Sequence, residues 1–206
     1  MHVVSMATEA RCPGAIVAQH RLRYRIFVQR LGWHLPTFDG LEYDEYDNPT
    51  ATYLVWRDAD GEARGVARLI PTAQPYMLQK LWPELCSGYL PNSATIWEGS
   101  RFGVDHQVSP ELRDRICREL IIGCLEFGLD RGISEYLVLM PAFFVRRQIG
   151  GAGCQYRLLG QTQQFGRVQM AVAAVDVTVD ALANARCRAG ITSALLDAPR
   201  LQESAA

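Results

Sequence analysis

The run Ile96-Trp97-Glu98-Gly99-Ser100-Arg101-Phe102 constrains this chain more than any other segment. Its aromatic and β-branched residues ask for a strand packed against a core. Yet a carboxylate and a guanidinium stand three residues apart inside it. Buried charge is costly unless paired, so the run implies an ionic pair between Glu98 and Arg101. In a regular strand, positions three apart point to opposite faces. Bringing both side chains into one cleft requires a bulge, and Gly99 is the natural place for it. The alternative is a surface pair on an edge strand, which the flanking Trp97 and Phe102 disfavour.

The other elements follow from periodicity and punctuation. Residues 1–13 read as a short leader with room for one strand, ending at Pro13. Ala15–Leu31 is helical, with Leu22, Ile26, Phe27 and Leu31 as its apolar stripe and Gly32 as its stop. Residues 33–50 read as a long irregular loop whose aromatic content argues against disorder. Strands at Thr52–Trp56 and Ala63–Ile70 flank Asp58-Ala59-Asp60-Gly61, a hairpin signature. Residues 71–93 form a Pro-punctuated connection, and Ala94–Val104 is the next strand. Ser109-Pro110 opens a strong amphipathic helix closed by Gly132. Glu135–Met140 is a nearly all-apolar strand, as expected for a central position covered on both faces. Pro141 to Ile149 looks helical, Arg167–Asp176 makes a final strand, and Thr178–Ala189 a capped helix. The tail beyond Gly190 is weakly specified. Strands first, then a helix–strand–helix–strand series, predict one α/β domain over residues 1–206: a mixed sheet with helices on its faces.

Composition removes several functions. A net charge of −1 over 206 residues supplies no basic field for nucleic acid or an anionic membrane. There is no basic, apolar leader of the secretory kind and no run long enough to span a bilayer, which makes a cytoplasmic location the expectation. The six cysteines and four histidines show no metal spacing, and reduced, mostly buried thiols are expected.

Beyond the charged strand lies a second polar set: Arg23, Trp33, Asp44, Asp47 and Arg68. Asp44 and Asp47 sit in Tyr43-Asp44-Glu45-Tyr46-Asp47-Asn48-Pro49, where acids and aromatic faces suit a cationic ligand. The same acids are also explained as turn residues, or as salt-bridge partners of Arg23 and Arg68. Together the two sets suggest one charged cleft for a zwitterionic small molecule.

Their joint order is more specific. Arg23, Phe27, Leu31-Gly32-Trp33, then Asp44 and Asp47, then Ala67-Arg68-Leu69-Ile70-Pro71-Thr72, then Trp97-Glu98 and Arg101-Phe102 resemble the LuxI-type acyl-homoserine-lactone synthases. The resemblance runs from about residue 21 to 105, and more loosely to about 160. It implies a GNAT-like acyltransferase fold and a reaction between S-adenosylmethionine and an acyl thioester, both substrates, with no metal or redox cofactor. It places Arg23, Phe27, Trp33, Asp44 and Asp47 around S-adenosylmethionine and gives Arg68 and Arg101 the organising of acids and ligand carboxylate. Glu98 becomes the candidate general base, and a bulge near Gly99 would expose N–H groups to the thioester carbonyl.

The chain departs from the family pattern at Trp82, where Phe is usual before Pro83. Apolar Met140 stands near where acceptors of 3-oxo chains tend to carry a hydroxyl. With Phe143 and Phe144, these bulky residues imply an acyl pocket for a short, branched or flat group. Arg146 and Arg147 would meet the phosphates of coenzyme A or an acidic carrier protein; acyl-CoA is the donor expected ahead of acyl carrier protein. Two other readings compete. An ordinary GNAT acyltransferase would carry a glycine-rich pyrophosphate loop, absent from Val104-Asp105-His106-Gln107-Val108-Ser109. A non-catalytic acyl-sensing module would bind without turnover.

Overall fold

The structure is a computed structural model and describes residues 1–8, 12–88 and 90–196. In chain order it has β1 (His2–Val4), α1 (Ala15–Arg23) running on as a π-helical stretch Tyr24–Arg30, β2 (Thr37–Phe38), β3 (Leu41–Glu42), β4 (Thr52–Arg57) and β5 (Ala63–Pro71). There follow α2 (Met77–Leu81), β6 (Ile96–Val104), α3 (Pro110–Asp130), β7 (Glu135–Pro141) and α4 (Ala142–Phe144), which continues as π-helical Val145–Gly150. The chain then forms β8 (Tyr156–Leu158), β9 (Gln163–Phe165), β10 (Val168–Asp176) and α5 (Val179–Ala189).

The main sheet runs β1-β4-β5-β6-β7-β10-β8, with β9 also on β10. Among the described residues only the β6–β7 pair is parallel; the other pairings are antiparallel. A parallel pair needs a crossover, and α3 supplies it. Its start is set locally: the Ser109 hydroxyl accepts from the Leu112 N–H at 3.2 Å and Pro110 takes the first turn. Ile116, Leu120 and Ile122 of α3 are fully buried. They pack with Leu54, Leu69, Tyr136 and Val138 on one face of the sheet, where α5 also lies. On the other face Leu22, Ile26 and Phe27 close a core with Tyr53, Val66 and Ile70.

Three expected segments differ. Residues 33–50 contain the two-stranded β2–β3 hairpin, turned by Asp39 (φ 49°) and Gly40 (φ 71°), the Asp-Gly pair such turns favour. The connection 71–93 contains α2, which has no capping side chain of its own. The tail past Gly190 is anchored as far as Leu196, because Glu126 accepts the N–H groups of Leu195 and Leu196 and the Met1 ammonium donates to Leu195 O. The remainder of that tail and residues 9–11 of the leader lie outside the described residues. Among the described residues no helix is long and apolar enough to cross a membrane.

Candidate active site

Glu98 and Arg101 do not pair with each other. Arg101 donates to Glu42 and Asp44, whereas Glu98 accepts from backbone N–H groups of α2. The bulge that re-aims one of them is present, but not at Gly99, which stays in register between Leu69 and Val138. It falls at Arg101: Arg68 faces Ser100 and Val66 faces Gly103, so Ala67 alone opposes Arg101 and Phe102. Arg101 takes the left-handed φ of 49°, a conformation costing a residue with a Cβ about 1–2 kcal/mol. Such strain persists only where the surroundings hold it, and the two acids on its guanidinium do so here.

Around that guanidinium the charges close into a ring. Arg23 binds Glu42 at 2.6 Å and Asp47 at 2.6 Å. Asp47 meets Arg68 at 3.0 Å, and Arg68 meets Asp44 at 2.5 Å. Asp44 meets Arg101 at 2.8 Å, and Arg101 returns to Glu42 at 3.1 Å. Three cations and three anions alternate, so the ring is neutral. Its side chains are buried or nearly so, with Asp44 the most exposed at 12%. Burial alone would raise the Asp47 carboxyl and lower the arginines. The Arg23 bonds, then Arg68, hold Asp47 far below the usual carboxylate range, and its acids hold Arg23 above the ordinary guanidinium value. Asp44 and Asp47 each face two arginines, as their reading as salt-bridge partners of Arg23 and Arg68 expected, so the ring acts as a frame.

Each member is delivered by a different element. Arg23 ends α1, where the helix widens into its π-helical stretch, a deviation that recurs at functional sites. Glu42 closes the β2–β3 hairpin. It is completely buried and was not singled out from the sequence, although Asp39-Gly40 between Thr37-Phe38 and Leu41-Glu42 was a readable turn signal. Tyr53, also missed, donates its hydroxyl to Asp47 at 2.7 Å. Asp47 in turn accepts the Asp44 N–H at 2.8 Å, which shapes the loop.

Glu98 stands apart from the ring. It is 2% exposed and accepts from the N–H groups of Leu78 at 2.7 Å and Met77 at 3.2 Å, supplying the cap that α2 lacks. Burial pushes its pKa up, against the opposing pull of the Leu78 N–H and the Arg68 charge. It is the site carboxylate without an ion-pair partner among the described residues, so it attracts a cation or a proton.

Two further surfaces adjoin these charges. Trp33 is 44% exposed and stacks on Phe27, with centroids 5.1 Å apart; its N–H donates to the Phe27 carbonyl, which fixes the stack. The Arg101 guanidinium lies over the other ring of that stack, 5.8 Å from the Phe27 centroid. On the far side of β6, pairing with β7 ends at Gly99–Val138. Beyond that point a cavity of about 50 Å³ is lined by Ser100 and Phe102 from β6, Val138 and Met140 from β7, and Cys124, Ile149 and Cys154.

Of the four expected acyl-pocket residues only Met140 lines this cavity. Trp82 packs with Tyr76, Leu78 and Leu137 on the opposite face, because Leu137 and Val138 alternate across the sheet. Phe143 is exposed, and Phe144 packs edge-on against Phe102 at 5.5 Å. Arg146 and Arg147 are exposed on the π-helical stretch after α4.

The mixed sheet, whose parallel strands β6 and β7 stop pairing after Gly99–Val138, has the architecture of the GNAT-like acyltransferases. An N-acetyltransferase-like protein from Lactobacillus plantarum shares this fold at a TM-score of 0.55 and 14% identity, over 85% of this chain and 97% of that one. A family model described as autoinducer synthase matches residues 10–184, and the chain belongs to that family. It is 47% identical over 149 residues to an acyl-homoserine-lactone synthase of Ralstonia nicotianae, 68% of this chain and 73% of the relative. A solved CoA-dependent acyl-homoserine lactone synthase, BjaI, with SAM and isopentyl-CoA, matches at a TM-score of 0.86 and 29% identity, over 97% of this chain and 94% of that one. The activity is that of an acyl-homoserine-lactone synthase.

Proposed function

We propose that the enzyme joins a short or branched acyl group, carried by coenzyme A, to the amine of S-adenosylmethionine. The observation that carries this reading is the small apolar cavity where β6 and β7 part. At about 50 Å³ it is small, and its lining is almost wholly apolar. A short or branched acyl chain suits that room better than a long straight one. The CoA-dependent relative with isopentyl-CoA supports the donor. Exposed Arg146 and Arg147 suit the phosphates of coenzyme A, and equally the acids of a carrier protein.

The chemistry then divides across β6. Phe27 and Trp33 offer a flat platform to the adenosine, and the ring holds Arg68 and Arg101 in place for the ligand carboxylate. Glu98 draws in the amine and takes its proton. The amine nitrogen bonds to the thioester carbonyl, the carbon–sulfur bond breaks, and the thiol of coenzyme A leaves with a proton. Backbone N–H groups of β6 beyond Gly99, where β7 has parted, are placed to stabilise the oxyanion. The substrate carboxylate next displaces the sulfonium, closing the lactone and releasing neutral methylthioadenosine. Both substrates are chemically activated, so we assign no metal or redox cofactor, and a cytoplasmic site of action where both are made.

The test mixes purified protein and S-adenosylmethionine with thioesters of straight, 3-oxo, branched and aryl acids, each on coenzyme A and on carrier protein. Methylthioadenosine and acyl-homoserine lactone should form fastest with a short branched acyl-CoA. Faster turnover of long chains, or turnover on carrier protein alone, sinks the reading.

A further inference from the structure

Tyr46 is 3% exposed, on the loop that also carries Asp44 and Asp47. Its hydroxyl is buried and has no hydrogen-bond partner among the described residues. Polar groups of the same loop are engaged elsewhere: Asp44 and Asp47 hold arginines and Asn48 holds Thr50. Native structures leave few buried polar groups unmet, and each asks for an explanation.

The surroundings of the ring say what would meet it. The Arg68 guanidinium lies 5.7 Å from its centroid. Burial, and then the carboxylates of Glu45, Glu98 and Asp44, push the phenol up to about 12, against the pull of Arg68. The group is therefore a neutral O–H, able both to donate and to accept. Tyr46 belongs to the same apolar cluster as Ile70 and Met77. Ile70 is the β5 partner of Glu98, and the Met77 N–H is bound by the Glu98 carboxylate. So an unmet hydroxyl and a carboxylate without an ion-pair partner among the described residues border one apolar cluster, near enough for the Glu98 charge to raise the phenol. A ligand nitrogen carrying several N–H bonds satisfies both at once.

We propose that the Tyr46 hydroxyl is a binding contact for the amino-acid end of S-adenosylmethionine, accepting an N–H of the amine that Glu98 attracts. This rests on the substrate reading above. It adds a residue that holds the amine during attack and explains why the loop carries a buried tyrosine where a phenylalanine would pack equally well.

Tyr46→Phe removes one oxygen and keeps the ring over Arg68. Titration calorimetry would compare S-adenosylmethionine with methylthioadenosine, which lacks the amino-acid end. The variant should bind S-adenosylmethionine about tenfold or more weakly, as for loss of a hydrogen bond to a charged group. Its affinity for methylthioadenosine should be unchanged, and its melting temperature without ligand should be equal or higher. Equal loss for both ligands, no loss for either, or a lower melting temperature overturns the proposal, the last because the hydroxyl would already be met in the free protein. Wild-type protein that binds no S-adenosylmethionine overturns the substrate reading and this contact together, whereas normal wild-type binding isolates the failure to Tyr46.

Discussion

Two polar regions lie near one another in this fold, and they differ in whether their groups are already satisfied. In the ring of Arg23, Glu42, Arg101, Asp44, Arg68 and Asp47 every charge faces two of the opposite sign. At Glu98 and Tyr46, among the described residues, one carboxylate lacks an ion-pair partner and one hydroxyl lacks any hydrogen-bond partner. Both are buried, so burial does not distinguish them. Completed groups fix a shape, while incomplete ones leave free energy to be gained on binding. The comparison assigns architecture to the ring and chemistry to the Glu98–Tyr46 corner, although the ring holds more of the charged residues.

The largest effect should come from breaking the ring. Removing one partner strands another charge out of water, so Arg68→Met should cost about 3–5 kcal/mol in urea unfolding. The double variant Arg68→Met with Asp44→Leu removes a charge of each sign and should recover part of that loss. If Arg68→Met unfolds like the wild type, the ring is not the frame described here.

Glu98→Gln tests the other side. The swap keeps shape, so stability should move by only about 1 kcal/mol, while kcat/KM should fall about 10²–10⁴-fold with loss of the base. In the wild type the acid limb of kcat/KM against pH should lie above an ordinary glutamate's value of about 4.3, because burial raises the Glu98 pKa. A variant that loses stability but keeps turnover would exchange the two roles.

The regions should also part in the pH dependence of stability. The folded pKa of Asp47 is depressed, so its contribution is present above the unfolded value of about 4 and lost as pH falls below it. The folded pKa of Glu98 is raised, so stability instead declines as pH climbs from the unfolded value toward the folded one. Urea melts across this range should show Asp47→Asn flattening the acid loss and Glu98→Gln removing the decline above about pH 4. Superimposable pH profiles for the wild type and both variants would dissolve the distinction.

What could be read in the chain followed the range of the interaction that fixes each part. The β4–β5 hairpin, α3 and β7 were legible because Asp58–Gly61, Ser109-Pro110 and an apolar run specify them within a few residues. Helix α2 was not, because its cap is Glu98, 20 residues from Leu78. The bulge was inferred from charge logic but misplaced: Gly99 is the conformationally permissive residue, yet the ring acids hold Arg101 in the strained one. Order along the chain singled out Arg23, Asp44, Asp47, Arg68 and Arg101, which meet in one ring. It missed Glu42 because a two-residue turn was taken as irregular loop. The acyl pocket was the least legible part. The cavity proposed for it is a gap between two strands, so its lining depends on where pairing stops, and Trp82 packs on the other face of the sheet from that cavity.

That gap supports the smallest prediction, which sets both polar regions beside the apolar space between the strands. Met140 lines the cavity at the end of β7, is only partly buried, and belongs to neither ring nor corner. Met140→Ala should lengthen the space without stranding a charge or a donor. One or two extra methylenes in an apolar pocket are each worth about 1–3 kcal/mol of discrimination. The ratio of kcat/KM for a six-carbon against a five-carbon branched acyl thioester should therefore rise about tenfold, with the KM for S-adenosylmethionine unchanged. An equal change for both acyl groups would mean that the cavity is packing space and the acyl chain lies elsewhere. A changed KM for S-adenosylmethionine would mean that β6 does not separate the two half-sites, and the division between frame, corner and acyl space would need redrawing.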